Sequence, residues 1–276
     1  MSLRTYLNAR GYSKYFIYND IVPMGSAVWS TPIEDMLDFP AYTLIKFFEN
    51  HGFLGMNTGL KWRYVRGGSR SYVNCLRREF PEGAFQAGEK VLTVRSNSPD
   101  VEVITSSGIK KFDRVIIASH ADQALSMLES PDEIQSKLLS AFRYVKNMAV
   151  LHTDEKVMPP IRNVWSSWNY KTKLNGDTLR SSTVYYMNRL QKLNSDVNYF
   201  VSINDFDAIH PDRIIKSIEY EHPLFDTRAV QAQDSLYRLN LNGPVFFAGA
   251  YFKYGFHEDG YQAGVQAAEA LLGSVK

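Results

Sequence analysis

Gly243-Pro-Val-Phe-Phe-Ala-Gly-Ala-Tyr251, running on through Phe252-Lys-Tyr-Gly-Phe-His-Glu-Asp-Gly260 to Tyr-Gln-Ala-Gly-Val-Gln-Ala-Ala268, decides the fold of this 276-residue chain. The continuous apolar run Val245–Ala248 suits a strand buried on both faces. A glycine-containing turn follows, then a helix over roughly residues 258–272. Ala263, Gly264, Ala267 and Ala268 form a small-residue face expected to pack closely on a sheet. The start of that helix presents N–H groups without intrahelical partners and a partial positive charge, a setting that favours an anionic or electron-rich group. A strand, a glycine turn and a helix also occur together as a purely structural unit, so both readings stand at this point.

Working outward, Pro40 opens a helix through Asn50 and Gly52 follows its end, the usual punctuation of helices. An earlier helical stretch reaches about Asp20, and Gly67-Gly68-Ser69 leads into another with Tyr72, Val73, Leu76 and Phe80. Short strands are expected at 90–95, 101–105 and 114–119; the alternation Val101-Glu-Val-Ile-Thr105 suits a half-buried strand. Ser130-Pro131-Asp132-Glu133 reads as a capping box opening a helix. Apolar runs at 144–153, 164–170, 183–188 and 199–204 suggest a second, mostly antiparallel sheet, and 226–237 reads as helical. The two kinds of material alternate. Two discontinuous domains follow, 1–61 with 121–242 and 62–120 with 243–276, in a mixed α/β fold.

Composition narrows the function. Net charge is +2, so no global field favours nucleic acid. The single cysteine, Cys75, excludes a disulfide framework and a cysteine zinc cluster; in its helical setting a buried structural thiol is expected. The six histidines have no i, i+4 pair, and no metal site is expected. The first residues lack a signal-peptide pattern, and no apolar stretch approaches the ~20 residues of a membrane-spanning helix. A cytoplasmic protein with a small-molecule substrate is the expectation.

The stretch ending Phe-Ala-Gly249 and the turn Gly255-Phe-His-Glu-Asp-Gly260 resemble the C-terminal FAD motif of flavin-containing amine oxidases. Further blocks in the same order resemble bacterial FAD-dependent amine-oxidase-like proteins encoded near cyclopropane-fatty-acyl-phospholipid synthase. They are Met24-Gly-Ser-Ala-Val-Trp-Ser-Thr-Pro32, Ser119-His-Ala-Asp-Gln-Ala-Leu125, Trp165-Ser-Ser-Trp-Asn-Tyr170, Tyr186-Met-Asn-Arg-Leu190 and Glu219-Tyr-Glu-His-Pro223. The resemblance implies an incomplete FAD-binding Rossmann-like domain (62–120, 243–276) interleaved with a helix-plus-antiparallel-sheet substrate domain. It implies FAD contacts at Gly67, Gly68, Val91, Gly249, Phe256, His257, Glu258 and Gly260. An aromatic substrate pocket would draw on Trp29, Trp165, Tyr186, Asn188 and Phe256, and His120 would stand near the cofactor cleft. Core packing is the other reading for each of these side chains. The basic group Lys61, Arg63, Arg66 and Arg70 is either a solvated face or a phosphate site for FAD or a lipid headgroup.

Two departures matter. No Gly-x-Gly-x-x-Gly occurs, although the family's pyrophosphate-binding turn needs one. Ala250-Tyr251 stands where many amine oxidases carry an acidic residue. The expectation is therefore an FAD-dependent oxidoreductase, or the C-terminal part of one truncated before residue 1, acting on an amine or lipid-linked substrate. The alternative is a non-enzymatic remnant or binding module without FAD. An open sheet edge beside 114–119, covered by self-association or a partner chain, and peripheral lipid contact are expected with it. No residue is assigned a catalytic role.

Overall fold

The computed structural model describes residues 1–55, 63–97, 100–175, 178–205 and 209–274. The helices in chain order are α1 (Leu3–Ala9), α2 (Lys14–Phe16), α3 (Val22–Trp29), α4 (Ile33–Asp38), α5 (Ala41–Asn50), α6 (Arg70–Arg77), α7 (Ala121–Met127), α8 (Glu133–Leu139), α9 (Met187–Leu190), α10 (Thr227–Gln233) and α11 (His257–Gly273). The strands are β1 (Val91–Asn97), β2 (Asp100–Thr105), β3 (Gly108–Phe112), β4 (Val115–Ile117), β5 (Arg143–His152), β6 (Trp168–Asn175), β7 (Thr178–Tyr186), β8 (Phe200–Ile203), β9 (Ile214–Leu224) and β10 (Val245–Phe247). The fold is mixed α/β. Two compact units share the chain, Met1–Leu60 with Tyr144–Thr227 and Lys61–Arg143 with Arg228–Lys276. Residues 121–143 and 228–242, assigned from sequence to the first domain, thus pack with the second unit. There α7 lies beside β1, and an isolated bridge ties Val94 to Leu128 just past the helix.

The first unit joins helices α1–α5 to a five-stranded sheet of order β6-β7-β8-β5-β9. Antiparallel pairing sets Val184 opposite Ser202 and His152 opposite Phe200. Val157, Met158, Trp165, Val184 and Phe200 form a core against this sheet. β9 was not expected from the sequence. It is an edge strand, and its polar residues fall on both faces, so no alternation marks it.

The second unit holds the antiparallel meander β1-β2-β3 and the parallel pair β10-β4. In β2 the alternate residues Val101, Val103 and Thr105 are buried, as the alternation predicts. The helix expected from Ser130 starts later: Asp132 is the cap, and its carboxylate accepts from the Gln135 amide at 2.7 Å while the Gln135 side chain receives the Asp132 N–H at 3.0 Å. Parallel pairing aligns Val245 with Val115 and Phe247 with Ile117, so both strands end on the same side. On the outer edge of β10 one side chain bonds both backbone groups of Phe247. Asn240 receives the Phe247 N–H at 2.7 Å and donates to the Phe247 carbonyl at 2.9 Å, imitating a neighbouring strand.

The close face of α11 is narrower than the sequence suggested. Ala263 and Ala267 are buried against Ala248, with Ile116 and Phe252 beside them. Gly264 is not part of that contact, because a Cβ there would meet nothing within 4 Å. Ala267→Leu is expected to destabilise the chain by about 1–3 kcal/mol through overpacking. Gly264→Ala is expected to be neutral or to stabilise by up to about 1 kcal/mol, since alanine loses less backbone entropy in a helix. Urea denaturation of the two variants checks the pair, and equal midpoints would reject this packing.

Candidate functional site

The carboxyl ends of β4 and β10 meet at Ser119 and Gly249. The backbone at Gly249 is extended, a conformation open to any residue, so space rather than torsion calls for glycine. A Cβ would stand 2.4 Å from the Tyr251 Cε1 and 3.5 Å from the Ser119 carbonyl oxygen. The Tyr251 ring is buried against Phe142, with centroids 5.1 Å apart, and Gln233 donates to the Tyr251 carbonyl at 3.0 Å. The ring is therefore held and cannot easily yield. A short turn follows, in which Gly255 takes a left-handed φ of 91°.

The 17-residue helix α11 begins beside this turn. Phe256 is its N-cap residue, half exposed, and its N–H donates to the buried Asp259 carboxylate at 3.0 Å. Glu258 accepts from Gln262 at 2.7 Å. Gly260 leaves ordinary room, with a Cβ 3.8 Å from Ala250. His257 Nδ1 lies 2.7 Å from the Tyr72 hydroxyl on α6. Both residues belong to the second unit, so this bond ties the helix that follows Gly67-Gly68 to the start of α11. Gly67 and Gly68 have φ of 80° and 74°, a turn that disfavours other residues. Gly249, Phe256, His257, Glu258 and Gly260 thus share one strand end and helix start, with the glycine turn linked to it through Tyr72.

Of the other expected residues, His120 directly follows Ser119 at this strand end. Val91 opens β1 opposite Thr105, next to a register shift. His120 takes the N-cap position of α7. Arg63, Arg66 and Arg70 are exposed, and Lys61 lies outside the described residues. Cys75 is exposed, not buried, because no residue of α6 is buried.

The aromatic residues of the first unit make these ring contacts among the described residues. Trp29 packs on Phe39 and Phe47, with centroids 4.7 and 4.8 Å away. Trp165 and Tyr186 meet edge to face at 5.5 Å, and Tyr186 stacks on Phe200 at 5.3 Å. The Trp165 indole donates to the Pro159 carbonyl and the Tyr186 hydroxyl to Asn198. Asn188 is occupied in a loop clamp, donating to the Val197 carbonyl and accepting from the Tyr199 N–H, both at 2.8 Å. Trp165 and Tyr186 come together, Trp29 packs with Phe39 and Phe47, and Phe256 belongs to the other unit.

Two polar features of the first unit escaped the sequence reading. The buried His152 accepts the Asp154 N–H on Nδ1 at 3.1 Å, so the neutral ring carries its proton on Nε2 and donates to Ser202 at 2.9 Å. Burial pushes its pKa below the usual imidazole value. A depressed histidine contributes stability that is present above the unfolded pKa of ~6.5 and lost as pH falls below it. Wild type is expected to lose stability between about pH 7.5 and 5.5 more steeply than His152→Gln, by at most ~1.4 kcal/mol per pH unit. Parallel urea curves at both pH values would remove this assignment.

The second feature is a cavity of about 230 Å³, lined by Ser26 from α3, Tyr170 from β6, Ser182 from β7 and neighbours including Asn147, Arg180 and Asn204. Among the described residues, the buried Ser26, Tyr170 and Ser182 oxygens make no hydrogen bond of normal geometry. The Tyr170 hydroxyl stands near the Ser26 and Ser181 hydroxyls, and burial raises its pKa.

The family model described as flavin containing amine oxidoreductase matches residues 7–174. No curated protein matches the chain. Among solved structures, cyclohexylamine oxidase from Brevibacterium oxydans IH-35A is similar over 100% of this chain and 68% of its own, at 12% identity and a TM-score of 0.64. A redesigned putrescine oxidase matches over 99% of this chain and 68% of its own, at 12% identity and a TM-score of 0.63. A CLA-producing fatty acid isomerase from P. acnes matches over 98% and 65%, at 11% identity and a TM-score of 0.61. These likenesses concern the fold, and the chain spans about two thirds of the length of each protein.

Proposed function

Because the chain belongs to the flavin containing amine oxidoreductase family, we propose that it is an FAD-dependent oxidoreductase, or part of one, acting on an amine or a lipid-linked substrate. One observation carries the reading. Two parallel strands end together at Ser119 and Gly249, beside the start of a long helix, and ligands of open α/β sheets bind outside such carboxyl ends.

The residues present fit the flavin end of FAD. Gly249 keeps the strand end narrow, and the α11 start carries the positive end of the helix dipole. Phe256, His257, Glu258 and Gly260 would line that end, with Gly67, Gly68 and Val91 as further cofactor contacts. When bound, the flavin takes up electrons from the substrate. The chain's own share is to hold the flavin end and to favour negative charge there. The finer kinship with bacterial proteins encoded near cyclopropane-fatty-acyl-phospholipid synthase belongs to this reading, as do a cytoplasmic setting and self-association or a partner chain beside β4. Among the described residues no helix is long and apolar enough to cross a membrane.

An FAD titration followed by flavin fluorescence tests the placement. Saturable quenching is expected, weakened about tenfold or more by Gly260→Leu, which places a large side chain at the helix start facing Ala250. Equal affinity in wild type and variant would reject the site.

A further inference from the structure

We propose that the polar cavity of the first unit binds a small organic carboxylate. Its wall is built wholly from this unit's helices and sheet, so the inference stands apart from the flavin reading and either can fail alone. The volume of about 230 Å³ equals roughly eight waters at ~30 Å³ each, enough for an acid of several heavy atoms.

The chemistry of the wall selects the ligand. The amides are already engaged. Asn147 donates to the Val145 carbonyl at 3.1 Å and faces His222 Nδ1 at 3.0 Å, while its oxygen receives Asn204 Nδ2 at 2.6 Å. Asn204 in turn accepts the Met148 N–H at 2.8 Å. The groups left with unused capacity are the hydroxyls of Ser26, Tyr170 and Ser182. Ser26 and Ser182 are only 4% and 1% exposed, and a native interior rarely leaves such groups without a partner. Each serine oxygen moves between staggered positions by rotation about one bond, so an entering acceptor can draw it toward the cavity.

Arg180 supplies the sign. It is the one charged side chain among the described residues lining the cavity, and no carboxylate lines it. Three hydroxyl donors and a guanidinium suit a carboxylate and disfavour an ammonium group. Pro32, Ile33 and Ile203 provide an apolar side for a short carbon chain.

Sodium butyrate, butylamine hydrochloride and 1-butanol share a four-carbon chain and differ in charge. Each is titrated into the purified 276-residue chain at one pH and ionic strength, followed by calorimetry and by NMR of the ligand. Butyrate alone is expected to saturate, with a dissociation constant of about 1 mM or tighter, within reach of a six-atom ligand. Arg180→Gln alters an exposed side chain and should fold normally, which its melting curve verifies. It is expected to weaken butyrate about ten- to a hundredfold, and Tyr170→Phe about tenfold. Butylamine or 1-butanol binding as well as butyrate overturns the proposal. So does butyrate failing to saturate by about 50 mM, or binding unchanged in Arg180→Gln.

Discussion

The purified chain, mixed with excess FAD and desalted, is expected to emerge colourless. A family site of this kind uses a Gly-x-Gly-x-x-Gly turn to cradle the pyrophosphate and an acidic residue to hold the ribose. These 276 residues contain no such turn. What they do contain is the proposed flavin end: the narrow strand terminus at Gly249 and the start of α11. Charge-assisted hydrogen bonds contribute roughly 1.5–3 kcal/mol each. Lacking two or three of them weakens affinity by about two to six powers of ten. Flavin bound that loosely is lost on a desalting column. A yellow eluate with stoichiometric absorbance near the flavin bands would show that other residues of this chain cradle the phosphates.

The second large effect concerns Asn240. Its amide is the only described partner of the Phe247 N–H on the outer edge of β10, and Phe247 is fully buried. Asn240→Ala leaves a buried donor and a buried acceptor unmatched. Each such group costs about 1–3 kcal/mol, so a loss of roughly 2–6 kcal/mol is expected. At about 2–4 °C per kcal/mol for a chain of this size, melting should fall by roughly 4–24 °C. Asn240→Asp, which keeps the acceptor for the Phe247 N–H, should fall between the two. A melting point unchanged in Asn240→Ala would mean that water or another group satisfies that edge.

The parts of the fold legible in sequence are those whose signals are local. The run Val245–Ala248 is continuous and apolar, and it forms the buried strand β10. Val101-Glu-Val103 alternates, and the stretch forms the half-buried β2. β9 was missed because an edge strand mixes Lys216, Glu219 and Glu221 with Ile215 and Tyr220 and buries little of either face. Gly264 was placed on the packed face because it neighbours Ala263, yet a helical turn brings Ala263 and Ala267 to the sheet. Cys75 was expected inside on the strength of an amphipathic run, but α6 has no buried side chain.

The candidate site divides in the same way. The residues around Gly249 and Phe256 lie within a dozen positions of each other, so the sequence motif and the spatial cluster coincide. The Tyr72–His257 bond joins positions 185 apart, and no sequence pattern announces it. The resemblance grouped Trp29 with Tyr186, whereas the rings described around them differ: Phe39 and Phe47 for Trp29, Trp165 and Phe200 for Tyr186. The hydroxyl-lined cavity draws Ser26, Tyr170 and Ser182 from three elements, and each residue is unremarkable in its own segment.

The central claim is that this chain grips the flavin end of the cofactor and lacks the cradle for its pyrophosphate. Paired fluorescence titrations with riboflavin and FAD, with ADP as competitor, test it most directly. Riboflavin and FAD are expected to bind weakly, with affinities within about tenfold of each other, and ADP should displace neither. FAD binding more than about a thousandfold tighter than riboflavin and yielding to ADP would contradict the claim, as would no saturable binding of either flavin.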